Sequence, residues 1–190
     1  MKRFNLIALL FAVLLAFTPS QAFAEIGGLT KTNKVGILAT PGTVNSQSYV
    51  IELNKLHPQV QVFQEACPMW VPLIENQQHE HPAGQQFIYE DVQAILAQSS
   101  EIDTLLLACT HYPVLQQQIE MLVGPTIQVV PQGPIVAEKL ENYLFAHPEM
   151  EARLSKNGSV AYFTSEATAV FNERAKSFLG DQVNSVHHSF

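Results

Sequence analysis

Cysteine and tryptophan are nearly missing from this sequence: its 190 residues hold two cysteines, Cys67 and Cys109, and one tryptophan, Trp70. A chain so poor in cysteine is not a disulfide-stapled scaffold, so an apolar core must hold it together. Charge is scarce too. Only 14% of residues are charged, with ten Lys and Arg against 17 Asp and Glu, for a formal net charge of −7. A surface of that sign repels phosphate backbones, which excludes nucleic acid as a partner. Between Val35 and Gly133 the only basic residue is Lys55. An anionic ligand bound there would be held by backbone N–H groups and hydroxyls, not by an arginine clamp. Long apolar runs are also lacking. The run LIALLFAVLLAF, residues 6–17, has twelve residues, short of the roughly 18–20 that span a bilayer.

That run has a different meaning. Lys2 and Arg3 precede it, and Ala22-Phe23-Ala24 follows. A basic start, an apolar stretch and an Ala-x-Ala site make a secretory signal peptide over residues 1–24. The expected mature chain begins at Glu25, is exported to the periplasm and keeps no membrane anchor; it stays cytoplasmic if the signal is not used. In an oxidising compartment two cysteines admit a disulfide, and the sequence leaves open whether their geometry allows one.

At 47% apolar, the chain has enough mass for one core. VGILAT (35–40), VQVFQEA (60–66), TLLLACT (104–110) and IQVVP (127–131) are short β-rich runs bounded by turn residues. Between them, helical spacing occurs at about 45–56, 85–98 and 113–123. Strands alternating with helices predict an α/β fold, a parallel sheet flanked by helices on both faces. NQQHEHPAG (76–84) reads as an exposed loop. Residues 133–147 and 166–180 read as helices, the second stopped by Gly180. VAYFTS (160–165) reads as a strand and VNSVHHSF as a closing edge strand. These last elements look like part of a second, incomplete α/β layer.

Ligands of open parallel sheets bind beyond the carboxyl ends of the strands. Three of the four strand ends here carry reactive or hydrogen-bonding groups: Thr40 and Thr43, then Cys67, then Cys109-Thr110-His111. A cysteine before a helix feels the positive end of its dipole, which favours thiolate. Cys67 alone in an apolar setting reads as a buried small hydrophobe, and Met69 and Trp70 read as packing residues. His79 and His81 in "HEH" lack the further ligands of a metal site. His187 and His188 read as solvated.

"KTNKVGILATPGTVNSQSY" (31–49), "ACPMWVPLIE" (66–75) and "DTLLLACTHYP" (103–113), in that order and spacing, resemble landmarks of the glutamate racemases, of the aspartate/glutamate racemase superfamily. "VAYFTSEATAVFNERAKSFLG" (160–180) resembles that family's C-terminal segment. The resemblance implies a racemase-type domain over 31–132 and, over 133–190, a tail that returns to the family's first domain. It implies cofactor-independent interconversion of L- and D-glutamate, which supplies D-glutamate for peptidoglycan, with two cysteines on opposite sides of the α-carbon moving the proton. By motif, Cys109 matches the second of these and His111 its assistant. Glu75 matches an acidic residue beside that histidine. Thr110, His111, Thr40 and Thr43 match substrate-contacting positions, and Cys67 matches a family cysteine that is not catalytic. The family's first half, with its Asp-Ser pair, Pro-Tyr-Gly loop and first cysteine, has no counterpart in the 190 residues. Three readings follow: an enzyme acting on glutamate or a related acidic amino acid, an exported non-catalytic amino-acid-binding module, or an inactive truncated homologue. Completing the site would take a second copy or another chain.

Overall fold

The computed structural model describes residues 25–156, 158, 160–180 and 183–189. The signal segment expected over 1–24 lies outside the described residues. Strands β1 (Lys34–Ala39), β2 (Gln61–Ala66), β3 (Thr104–Leu107) and β4 (Gln128–Pro131) form one parallel sheet in the order β2-β1-β3-β4. Helices α1 (25–29), α2 (Pro41–Ser46), α3 (Ser48–Leu56), α4 (Trp70–Glu75), α5 (Pro82–Gln98), α6 (Gln116–Val123) and α7 (Gln132–Ala146) surround it, with a 3-10 turn at Tyr112–Leu115. The parallel α/β sheet expected from the alternation of apolar runs is present.

The strands are apolar throughout because both faces of the sheet are covered. Side chains alternate between faces with period two. Leu38, Leu105, Leu107 and Val129 point into one core, with Trp70 and Ile74 of α4, Ile88, Val92 and Ile95 of α5, and Ile119 of α6. Val35, Ile37, Ala39, Leu106, Ala108 and Val130 point into the other, with Ile26 of α1, Leu53 of α3 and Ile135 of α7. Gly36 lets α5 approach: a Cβ there would lie 2.5 Å from Leu105 Cδ2 and 3.0 Å from Ile95 Cγ1. Among the described residues no helix is long and apolar enough to cross a membrane.

Four local expectations need correction. The helix expected at 45–56 begins at Pro41 and breaks at Gln47, whose φ of 54° is left-handed. The loop expected over 76–84 ends earlier, because His81 Nδ1 accepts from Ala83 N at 3.3 Å and caps α5 ahead of Pro82. The helix expected from 113 opens as the 3-10 turn, which suits Pro113 since it has no N–H to give. Met69 stands at the surface, 39% exposed, whereas Trp70 is fully buried.

Beyond α7 come α8 (Pro148–Glu151), β5 (Tyr162–Thr164), α9 (Thr168–Leu179) and β6 (Ser185–His187). β5 and β6 form a separate parallel pair. Asn172 of α9 fastens the pair by accepting from Ser185 N at 2.9 Å. Gly180, at φ 70°, ends α9 as expected.

Candidate active site

The strand order places β1 and β3 side by side while their connections leave in opposite directions, so the crevice beyond their carboxyl ends is the switch point of the sheet. The ladder continues past the strands: Ala108 N donates to Leu38 O at 2.9 Å, and Cys67 N to Ala39 O at 2.8 Å. Thr40, Cys67 and Cys109 therefore leave the sheet from one end.

Cys109 is partly buried, and its Sγ lies 3.9 Å from His111 Nδ1. His111 Nε2 lies 3.2 Å from Glu75 Oε1. Glu75 is the last residue of α4, the helix end whose dipole favours cations over anions. When Nε2–H donates to Glu75, Nδ1 of the neutral ring carries the lone pair and faces the Cys109 sulfur. The three residues together can take a proton from the thiol and hold the resulting charges apart. The dipole contribution expected at Cys109 is weaker than a full helix would supply, because the element that follows begins as a short 3-10 turn at Tyr112.

Thr40 caps α2, with its Oγ1 3.1 Å from Thr43 Oγ1 and 3.5 Å from Thr43 N. Both hydroxyls stand at the end of β1, beside the β3 end that carries Cys109. Thr110 is exposed. His79 and His81 remain in the α4–α5 connection, and among the described residues no third His, Cys, Asp or Glu joins them in a metal-sized cluster.

The two cysteines follow similar apolar strands but meet different surroundings. Both are free thiols. Cys67 is 1% exposed. Burial pushes its thiol well up, and the negative charges of Asp91 and Glu65 push it further. Tyr112 seals it in: the fully buried phenol donates to Cys67 O at 3.2 Å and its ring lies 4.8 Å from that of Trp70, at 57°. Burial, followed by the charges of Cys67 and Cys109, raises Tyr112 as well. Cys67 is a packing residue, as the sequence suggested.

Residues that the sequence did not single out complete the surroundings. Tyr49 of α3 hydrogen-bonds Gln132 at the start of α7, tying the segment after β1 to the end of β4. Burial raises the Tyr49 phenol, the Gln132 amide pulls it back, and the charge of Cys109 raises it again. From α9 come Arg174, whose Nη1 is 3.6 Å from Glu75 Oε2, and Phe178, whose ring meets that of His111 edge to face at 5.3 Å and 89°. The basic-poor half of the chain thus receives an arginine from the tail. Their spacing of four on a helix was a legible signal that both lie on one face; nothing local said which face they would meet.

No protein-family model matches the chain. It is similar to glutamate racemase 2 of Caldanaerobacter subterraneus subsp. tengcongensis, 34% identical over 175 residues that make up 90% of this chain and 63% of that relative. It is also similar to the glutamate racemase of Streptococcus suis (strain 05ZYH33), 31% identical over 158 residues, 83% of this chain and 59% of that one. The chain therefore spans about three fifths of the length of these curated relatives. Among solved structures it resembles glutamate racemase isoform RacE1 from Bacillus anthracis, with a TM-score of 0.79 and 24% identity over 95% of this chain and 69% of that one. It also resembles the Francisella tularensis glutamate racemase in complex with D-glutamate, with a TM-score of 0.70 and 22% identity over 89% and 61%. At those identities the structural likeness establishes the fold.

Proposed function

We propose, from the premise that this chain belongs to the glutamate racemase family, that Cys109 is a proton-transfer base acting on the α-carbon of glutamate or a related acidic amino acid. The observation that carries this reading is the continuous line from Cys109 Sγ to His111 Nδ1, at 3.9 Å, and from His111 Nε2 to Glu75 Oε1, at 3.2 Å.

The thiol proton passes to His111 Nδ1. The thiolate then takes the α-proton, and the electron pair of the broken C–H bond is delocalised into the substrate carboxylate. Hydroxyls of Thr40, Thr43 and Thr110 hold the carboxylates and stabilise the developing charge, so no cofactor is needed. Return of a proton from Cys109 to the same face restores the starting isomer. Inversion needs a donor on the opposite face. Cys67, the other cysteine of the chain, is buried in the packing beneath the site and does not fill that role. A second copy or another chain that brought such a donor would complete an interconversion of L- and D-glutamate, with D-glutamate going to peptidoglycan.

Isotope exchange tests the reading. Incubated in D2O, the chain is expected to place deuterium at the α-position of L-glutamate with configuration retained, the L-isomer being the one that the family resemblance assigns to this cysteine. Inversion should be slower by several powers of ten than in a two-base enzyme, the usual scale for loss of a key catalytic group. Cys109→Ser should abolish the exchange. Binding of glutamate without exchange in either isomer would establish a non-catalytic binding module instead, and rapid racemisation by the isolated chain would reveal a second base.

A further inference from the structure

Glu75 uses its two oxygens differently. Oε1 meets His111, while Oε2 faces Arg174 Nη1 at 3.6 Å, and the same Nη1 lies 3.7 Å from Glu166 Oε2. One turn further along α9, Phe178 presses edge to face on the His111 ring. Residues four apart on a helix share a face, so a single face of α9 meets both His111 and its partner Glu75. The helix itself is secured elsewhere, to β6 through Asn172 and Ser185. Its two side chains therefore reach the site from a separately anchored unit.

We propose that Arg174 and Phe178 are positioning residues that hold Glu75 and His111 in the arrangement that leaves Nδ1 facing the Cys109 thiol. The proposal rests on the reading of Cys109 as a proton-transfer thiol. Arg174 pins the Glu75 carboxylate so that Oε1 stays on Nε2–H, which selects the tautomer with its lone pair on Nδ1. Phe178 limits rotation of the ring about its own bond. Neither residue touches the sulfur. The titratable and charged groups around Cys109 are His111 from its own loop, Tyr49 from α3, Tyr112 from the 3-10 turn and Cys67 after β2. Glu75 of α4 lies behind His111, and Arg174 with Glu166 lie behind Glu75. Because Arg174 acts only through Glu75, its removal should alter the thiol's reactivity without removing a contact to it.

The test is the pH–rate profile for iodoacetamide alkylation of Cys109, followed by peptide mass in the native full chain with no amino acid present. Arg174→Met is expected to slow alkylation at pH 7 by about two- to five-fold, the scale of a partly exposed ion pair, and to displace the profile to higher pH. Arg174→Lys should recover most of the wild-type profile, and Phe178→Leu should slow alkylation as Arg174→Met does. A wild-type profile in Arg174→Met would overturn the proposal by making the pair a surface contact. Movement to lower pH would also overturn it, since Arg174 would then be acting as a cation that competes with His111. If Arg174→Met does not fold, the lysine and leucine variants decide by the same criteria. Because no substrate is present, this result stands apart from the deuterium-exchange experiment: either can fail alone.

Discussion

Replacing Asp103 with alanine should loosen the end of the sheet opposite the site. Asp103 immediately precedes β3, and its carboxylate gathers a segment some seventy residues away. Oδ1 accepts from Thr30 Oγ1 at 2.6 Å and Thr104 Oγ1 at 3.0 Å, and Oδ2 accepts from Lys31 N at 2.7 Å and Thr32 N at 2.9 Å. Burial works against the charge, but the hydrogen bonds outweigh it and hold the carboxyl below its ordinary value. Hydrogen bonds to charged groups contribute about 1.5–3 kcal/mol each in protected settings. The two to Oδ2 are exposed, and water replaces them at little cost. Counting the two part-buried bonds at about 1 kcal/mol each, with a small remainder from the others, the loss in Asp103→Ala is about 2–3 kcal/mol. Asp103→Asn should lose less, since its amide oxygen can take the Oδ2 position and accept from Lys31 N and Thr32 N while its N–H2 donates to the Thr30 and Thr104 hydroxyls. Urea unfolding followed by the fluorescence of the buried Trp70 measures the loss. A carboxyl lowered by folding contributes stability that is fully present above its unfolded value, about 3.9, and is lost as pH falls through the lower folded value. The difference between variant and parent should therefore be largest across pH 5–8 and narrow as pH falls below about 4. A difference under about 0.5 kcal/mol at pH 7, within the usual range of surface substitutions, or one undiminished at pH 3, would refute the reasoning.

Asp91 has the opposite sign. Its carboxyl is raised to about 6, first by burial, then by the charges of Glu65 and Glu90. The Trp70 indole N–H, which has no acceptor in hydrogen-bonding geometry, is near enough to Asp91 to offset part of that rise. Ionising a carboxyl raised by folding costs stability as pH climbs from about 4 through 6. Asp91→Asn should therefore gain about 1 kcal/mol at pH 8 after solvent screening and nothing at pH 4, and a urea-measured loss at pH 8 would contradict this. For the N-terminus, export with cleavage after Ala24 predicts a mature chain beginning at Glu25, whose carboxylate pairs with Lys139 of α7 and whose neighbour Ile26 is fully buried. Intact mass of the protein in a periplasmic extract checks it, and a chain retaining Met1 in the cytosol would refute the expected export.

The sheet was legible because its determinants are local. Runs such as 35–39 and 105–108 are apolar at every position, and a strand with that pattern needs cover on both faces. Cys109-Thr110-His111 could also be read as a unit, since residues two apart at a strand end share a neighbourhood whatever the rest of the chain does. The break at Gln47 and the 3-10 opening at Tyr112 were less legible, because single backbone angles and one proline decided them against a continuing helical pattern. Glu75 entered by resemblance, since no spacing rule joins it to a histidine 36 positions away. The sequence set the two cysteines apart, and packing decided how far they differ. Both follow apolar strands, yet Trp70, Tyr112 and the helix carrying Ile88 close over Cys67 and leave Cys109 accessible. Arg174 and Phe178 belong wholly to the tertiary structure. Their own helix sets them on one face, but whether that face meets solvent or Glu75 and His111 depends on how the tail docks, a relation between distant segments that no local pattern encodes.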